Sequence, residues 1–354
     1  MRFYDPFLYP FAALYSLATR WRNHLFEIGS KKSTSFNVPV IVVGNLSVGG
    51  TGKTPAIEYL IRQFQDRYRL AVISRGYKRK TSGFLLATSE MGPDDIGDEP
   101  FQVFQKFGEK VAVAVGESRA LAIPQVLAER PETEVILLDD AFQHRYVVPD
   151  LAVLLTTFHK PFFEDRILPL GTLRESRRGA VRANAVVVTK CPNTLNDAKK
   201  AAFHQEIIAY AREGAPIIFA GIRYSEPIPI SKGTQIIGKA VIVVTGIASN
   251  RDFLEEVRKR YEVLEIRDYP DHHRYSVADI KDLEVLYRKH ISKQPSILTT
   301  EKDAVKLNVP QFLPFWSEIP IFALPMEMDL SETDRRIITT MVLDTVKKKN
   351  YRGE

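Results

Sequence analysis

A chain of 354 residues with 45% hydrophobic and 26% charged content has the apolar mass for a sizeable core of roughly two domains, which excludes a disordered or collagen-like class. Its single cysteine, Cys191, excludes an intrachain disulfide framework and fits a reducing compartment such as the cytoplasm. A formal net charge of +6 points to anionic partners, but no basic run is dense enough for a nucleic-acid arm, no obligate protein partner is evident, the N-terminus lacks a cleavable-signal pattern, and no apolar run approaches the roughly 20 residues that span a bilayer.

The first 37 residues stand apart. Phe3, Phe7, Phe11, Leu14, Tyr15, Ala18, Trp21 and Leu25 recur at helical spacing on one face, with Arg2, Asp5, Ser16 and Arg20 on the other, and Pro10 is expected to start or kink the helix. Arg20, Arg22, Lys31 and Lys32 accompany the stripe. Aromatic residues beside basic ones suit an anionic membrane surface. A terminal helix packed on its own domain is amphipathic too, and the pattern leaves both readings open.

From Val38 the pattern is α/β. Strands are predicted at Val38–Val43, Leu70–Ser74, Lys110–Ala114, Val135–Asp139, Leu151–Leu155 and Ala185–Thr189, with helices at Lys53–Gln65, Glu117–Arg130 and Asn196–Arg212. Short apolar strands alternating with helices imply a P-loop NTPase-like parallel sheet sandwiched by helices, with ligands at the carboxyl ends of its strands. Pro216–Ile230 is extended and proline-rich, which suits a connector. A second, smaller α/β domain follows: strands Ala240–Thr245, Val263–Arg267 and Ser296–Thr299, helices Asp252–Tyr261 and Val277–His290. Ile217–Ile222 and Ile319–Leu324 are alike in character and are expected to pair as a two-stranded linker, ahead of a last helix over Glu332–Lys349. The expected organisation is an N-terminal helix region (1–37), a P-loop domain (38–215), a linker (216–237), the second α/β domain (238–318), and a return strand with the C-terminal helix (319–354).

The first strand runs into Gly44-Asn45-Leu46-Ser47-Val48-Gly49-Gly50-Thr51-Gly52-Lys53-Thr54. The phosphate-loop pattern G-x-x-x-x-G-K-[ST] is missed only at its first position, where Ser47 stands. Gly49, Gly50 and Gly52 still let backbone N–H groups converge on the phosphates of ATP. Lys53 is placed to reach the β- and γ-phosphates, Thr54 to ligate Mg²⁺, and the following helix offers its positive N-terminal end. A chance glycine-rich turn would not be flanked by a strand and a helix. Val135–Asp139 ends in Asp139 and Asp140, so an apolar strand delivers carboxylates to the same edge, where one would hold the metal.

The remaining polar clusters are weak singly. Ser74-Arg75-Gly76-Tyr77, Gln143-His144-Arg145 and Gly171-Thr172-Leu173-Arg174-Glu175-Ser176 fall in loops of the first domain. Asp98-Glu99-Pro100 precedes a helix, where a lone carboxylate is most simply a cap. Asp271-His272-His273-Arg274 lies in the second domain, and a histidine pair is more often a surface turn than a catalytic group. Zinc is disfavoured because Cys191 is alone. Together the clusters imply a polar cleft between two α/β domains.

Nine segments resemble the tetraacyldisaccharide 4′-kinase (lipid A 4′-kinase) family: GNLSVGGTGKTP (44–55), SRGYKR (74–79), GDEP (97–100), DDAFQHR (139–145), LRE (173–175), VVTK (187–190), TGIA (245–248), YPDHH (269–273) and TTEKDAVKL (299–307). They follow family order across most of the chain. The resemblance implies transfer of the γ-phosphate of ATP, with Mg²⁺, to the 4′-hydroxyl of an acylated glucosamine disaccharide 1-phosphate in lipid A synthesis. It also implies two α/β/α domains on a two-stranded linker, an N-terminal helix that touches membrane, and a place at the cytoplasmic face of the bacterial inner membrane.

Position by position, the resemblance makes Lys53 and Thr54 the phosphate-loop lysine and metal-binding threonine, and Asp139 and Asp140 the metal-strand pair. Asp98 matches the carboxylate that takes the acceptor proton, and His272, in preference to His273, the histidine that pairs with it, orienting it or raising its basicity. Arg75, Arg174 and Glu175 match polar positions of the reacting centre, and Glu99, Arg119, Gln143 and His144 positions that meet the substrate. The family's G-P-L-R-E-P loop reads Gly171-Thr172-Leu173-Arg174-Glu175-Ser176 here, so the loss of both prolines predicts a less rigid loop. A membrane-bound P-loop ATPase switch would share the GGTGKT turn, but such switches carry an early loop lysine where Val48 stands. A metallochaperone NTPase would need a cysteine or histidine run, which the sequence lacks.

Overall fold

The structure, a computed structural model, describes residues 5–230 and 236–351; Arg2 and Phe3 of the N-terminal stripe lie outside the described residues. In chain order the first part runs α1 (Asp5–Glu27), β1 (Val40–Asn45), α2 (Lys53–Phe64), β2 (Leu70–Ser74), β3 (Leu85–Leu86), α3 (Pro93–Ile96), α4 (Asp98–Phe107), β4 (Ala112–Val115), α5 (Arg119–Glu129), β5 (Val135–Asp139), β6 (Leu151–Thr157), β7 (Ala185–Thr189), α6 (Asp197–Ile208) and β8 (Ile217–Tyr224). The second runs β9 (Ile228–Pro229), β10 (Ala240–Thr245), α7 (Arg251–Arg260), β11 (Glu262–Asp268), α8 (Val277–Lys289), β12 (Ser296–Thr300), α9 (Glu301–Leu307), α10 (Leu313–Trp316) and β13 (Ile321–Leu324). Strand β14 (Met326–Leu330) and helix α11 (Glu332–Tyr351) return to the first part.

Nine strands form the larger sheet, in the order β14-β8-β7-β6-β1-β5-β2-β4-β3. Only its two edge pairings, β14 with β8 and β3 with β4, are antiparallel. Strand β1 shows why it is sandwiched. Ile41 and Val43 enter a core shared with α2, α4 and α11, and the alternate Val40 and Val42 enter one shared with α5 and α6. The smaller sheet, β11-β10-β12-β13-β9, repeats this scheme with α8 and α10 on one face and α7 on the other.

The linker pairing departs from expectation. Ile217–Tyr224 pairs with Met326–Leu330, not with the 319–324 segment, and on its other edge β8 extends the larger sheet by joining β7. Ile321–Leu324 instead lies between β12 and β9. The physical reason is legible in the side chains. Four consecutive buried residues in β13 need cover on both faces, whereas Met-Glu-Met-Asp-Leu in β14 alternates as an edge strand does.

Helix α1 runs through Pro10, which loses one intrahelical bond near the helix start. Its polar side faces inward. Tyr15 Oη donates to the Arg174 carbonyl (2.9 Å), Asn23 Nδ2 to Glu175 Oε2 (2.8 Å), and Arg22 to the Gln143 carbonyl. Its apolar side faces out: Phe7, Phe11, Leu14, Leu17 and Trp21 are 62–77% exposed.

Candidate active site

The phosphate loop joins β1 to α2 at the carboxyl edge of the larger sheet. Gly52 caps α2 from the left-handed region (φ 82°) and Gly49 adopts φ 114°, conformations a side chain would strain. A second loop braces this turn. Val48 N–H donates to Thr172 O (2.8 Å), Arg174 N–H to Leu46 O (2.7 Å), and Ser47 bridges Leu173. Thr189 Oγ1, from β7, donates to Thr51 O (2.9 Å). The bracing loop is pinned without the two prolines. Thr172 donates its hydroxyl to Asp165, which is 6% exposed and also accepts from the Arg166 and Thr172 backbones. The expectation of a looser loop is therefore corrected: a buried carboxylate supplies the constraint.

Asp139 and Asp140 have opposite electrostatics. Burial pushes Asp139 up to about 7, aided by the charges of Glu99 and Asp140, and its Oδ1 is buried without a hydrogen-bond partner. Burial also acts on Asp140, but Lys53, Arg174 and Arg119 outweigh it and hold the carboxyl below its ordinary value. Arg174 Nη1 lies 2.8 Å and Lys53 Nζ 3.9 Å from Asp140 Oδ1. An orphaned buried carboxylate oxygen next to the phosphate loop is what a divalent cation would satisfy. Thr54, Asp139 and Asp140 thus fit the Mg²⁺ that the sequence implies.

The other predicted residues divide into those facing the cleft and those supporting it. Arg75 is exposed at the cleft after β2. Arg119 is 3% exposed, and burial lowers it to about 10. It reaches the Asp139 carbonyl (3.3 Å), and its backbone N–H donates to His144 Nε2 (3.2 Å). Burial, reinforced by Arg119, Arg22 and Arg75, lowers His144 to about 4, so it is neutral near pH 7. Gln143 donates to Asn45 O (2.8 Å) and Glu175 Oε1 (3.0 Å). Glu175, expected among the reacting groups, is 3% exposed, with its carboxylate taken by Arg182 (2.7 Å), Asn23 and Gln143. It ties α1 to the loops around Gln143 and Arg174 and does not line the cleft.

Asp98 and Glu99 form the first turn of α4 itself, behind Gly97 at φ 94°. His272, from the turn after β11, brings Nδ1 to 3.1 Å from Asp98 Oδ2, 174 positions away in sequence. The histidine backbone is strained at φ 61°, and its ring meets the edge of Tyr77 (5.3 Å between centroids). Burial would raise Asp98, but the His272 hydrogen bond and the charges of Lys306, His272 and Lys302 prevail and keep its carboxyl below the ordinary range. Of the two expected roles for His272, orienting the carboxylate agrees with this direction and raising its basicity does not. His273 turns away, 3.2 Å from Asp279 and stacked on Tyr269.

Lys53, Arg75, Glu99, Asp139, Asp140 and His272 line a cleft of about 1010 Å³ between the two sheets, and Asp98 lies behind His272. Contacts across it include Lys190 with Asp252 (3.9 Å) and Arg274 with Asp94 (3.1 Å). Behind it, Lys106 of α4 bridges buried Glu58 of α2 (2.8 Å) and Glu301 of α9 (2.5 Å). Sequence reading assigned no role to Lys190 or Lys302 and placed Arg22 with the membrane-facing basic residues, yet all three line the cleft. The segments VVTK and TTEKDAVKL carried the signal for the two lysines, but not the contacts that give them partners.

A P-loop on a parallel sheet, an adjacent pair of aspartates and a carboxylate-bound histidine lining the same cleft define an ATP-dependent phosphotransferase. The profile of the LpxK family, tetraacyldisaccharide-1-P 4′-kinase, matches residues 4–345, and the chain belongs to that family. Among its relatives, the tetraacyldisaccharide 4′-kinase of Flavobacterium johnsoniae is 45% identical over 305 residues, covering 85% of this chain and 86% of the relative. That of Bacteroides thetaiotaomicron is 40% identical over 343 residues, covering 93% and 90%. The crystal structure of LpxK from Aquifex aeolicus in complex with ATP matches with a TM-score of 0.74 at 29% identity, covering 97% of this chain and 99% of the other. The chain is a kinase of lipid A biosynthesis with ATP as phosphoryl donor.

Proposed function

We propose that this kinase phosphorylates the 4′-hydroxyl of a tetraacylated glucosamine disaccharide 1-phosphate while α1 rests on the cytoplasmic face of the bacterial inner membrane. The observation that carries the chemistry is the Asp98–His272 pair, 3.1 Å apart, whose histidine lines the same cleft as Lys53 and the phosphate loop. Ionised Asp98 accepts the hydroxyl proton as the sugar oxygen bonds to the γ-phosphorus and the bridging oxygen leaves with ADP. His272 aims the carboxylate. Lys53 and the phosphate-loop N–H groups hold the triphosphate, and Arg174, with Arg75 at the rim, steadies charge on the moving group. Thr54, Asp139 and Asp140 would hold Mg²⁺, which when bound would supply further neutralisation of phosphate charge. Because Asp98 and His272 come from separate units, the pair is complete only when they are closed, which limits loss of ATP to water.

The outward apolar face of α1 supports membrane contact. Five large apolar side chains more than half exposed in one helix form an unfilled surface, with Arg20 exposed beside them. Among the described residues no helix is long and apolar enough to cross a membrane, so this contact lies in the surface plane. The test is incubation with γ-labelled ATP, Mg²⁺ and the disaccharide 1-phosphate lipid. Label in a bis-phosphorylated lipid is expected; label released only as free phosphate would favour a P-loop ATPase switch. Sedimentation with anionic vesicles, lost on Phe11→Ser plus Trp21→Ser, tests the membrane contact.

A further inference from the structure

We propose that Lys302 is a positioning residue that fixes the tautomer of His272, and so the aim of the Asp98 carboxylate. This rests on the Asp98–His272 reading above.

Lys302 is the second residue of α9, whose first turn points into the cleft. Its ammonium lies 3.1 Å from Asp271 Oδ1, 3.2 Å from His272 Nε2 and 3.6 Å from Glu99 Oε1. An ammonium has donors and no acceptor. At 3.2 Å from Nε2 it requires a lone pair there, because two N–H groups would repel. The ring proton then sits on Nδ1, the atom 3.1 Å from Asp98 Oδ2, and it donates to the carboxylate. The opposite tautomer would turn a lone pair toward Asp98 and lose the hydrogen bond.

Asp271 makes this lysine necessary. Its Oδ2 stands 3.7 Å from the same Nε2 and Oδ1 is held by Lys302. With Lys302 removed, that carboxylate is free to accept a proton from Nε2–H, which draws the ring toward the wrong tautomer or the doubly protonated form. Tyr77 meets the ring by its edge, and Glu99, 3.6 Å from the Lys302 ammonium, is an acceptor that cannot donate to Nε2.

The two side chains are also locked in one rigid piece. Gly246 N–H donates to Asp303 Oδ2 (2.8 Å), and Gly246 O accepts from His272 N–H (3.2 Å). Asp303 and Thr300 cap the start of α9 (Asp303 N–H to Thr300 Oγ1, 3.1 Å). The Lys302–His272 geometry is therefore set within the smaller unit, before Asp98 is met across the cleft.

The test uses the full chain and combines Lys302→Met and Lys302→Gln with His272→Ala, reading kcat and both KM values, together with ¹⁵N spectra of labelled imidazole. Lys302→Met should lower kcat about tenfold or more, with little change in KM, and move the His272 signals away from the Nδ1–H tautomer. Lys302→Gln retains an amide donor and should recover much of kcat and the tautomer, even if the methionine variant folds poorly. In the His272→Ala background, Lys302→Met should add less than roughly twofold. Equal losses in both backgrounds, a rise in KM with kcat intact, or an unchanged tautomer would each overturn the positioning role. If His272→Ala itself leaves kcat unchanged, it is the underlying pair that fails.

Discussion

The phosphate-loop half of the cleft and the Asp98–His272 half are built in opposite ways. The first is nearly contiguous: one strand, one turn and one helix place Ser47 to Thr54, and the neighbouring strand β5 delivers the aspartates. The second joins residues 174 positions apart and depends on two separate sheets meeting. Under the proposed mechanism, a contiguous cradle would hold phosphate whatever the smaller unit does, whereas the proton-accepting pair would need both units together. Binding and chemistry are thereby separated in the architecture.

Asp98→Ala should bring the largest loss, about 10²–10⁴-fold in kcat with ATP binding retained. His272→Ala should cost less, and the two losses should not multiply in the double variant. Lys53→Met strikes the other half and should cost about 10²–10³-fold, with ATP binding weakened as well. If Asp98→Ala weakens ATP binding as much as Lys53→Met does, the two halves are not separable. All are read by transfer of label from ATP.

Lys106→Met probes the seam where α4 of the larger unit meets α9 of the smaller. It strands buried Glu58 and Glu301 without their shared cation and should destabilise the fold by about 3–5 kcal/mol in urea titration. Glu301→Gln should cost less, because burial has already raised the Glu301 carboxyl and weakened its claim to a charge.

His144 gives a pH test on the phosphate-loop side. Burial lowers it to about 4 from an ordinary 6.5, so the folded state binds fewer protons than the unfolded one between those values. Stability should therefore fall as pH drops from 6.5 toward about 4, and level off below. Urea midpoints of His144→Gln should lose that part of the slope and match the native protein more closely at pH 7 than at pH 5. The smallest effect belongs to Thr172→Val, about 1 kcal/mol, with a modest rise in KM for ATP as the loop behind Val48 loosens.

Legibility in the sequence followed the same division. The parallel sheet, its strands and the phosphate cradle could be read because apolar runs and the glycine-rich turn are local signals. Asp98 and His272 could be named only through resemblance, because nothing near either residue specifies a partner in the other sheet. The linker pairing was misread from shared apolar character, although the alternation of Met326 to Leu330 marked the true edge strand. Glu175 was placed among reacting groups through the resemblance, but its Arg182 partner is a contact that only the folded loop makes. Lys302 stood in a quoted segment without a role, since a lysine's meaning depends on which acceptors surround it.

The inward side of α1 has a consequence of its own. Tyr15, Arg22 and Asn23 hold the backbone of Arg174, the carbonyl of Gln143 and the carboxylate of Glu175. The helix is thus part of the wall of the catalytic chamber as well as a greasy surface feature. Trimming it away to gain solubility would unpin Arg174, and the shortened protein would dissolve more readily while turning over slowly for reasons unrelated to where its substrate resides.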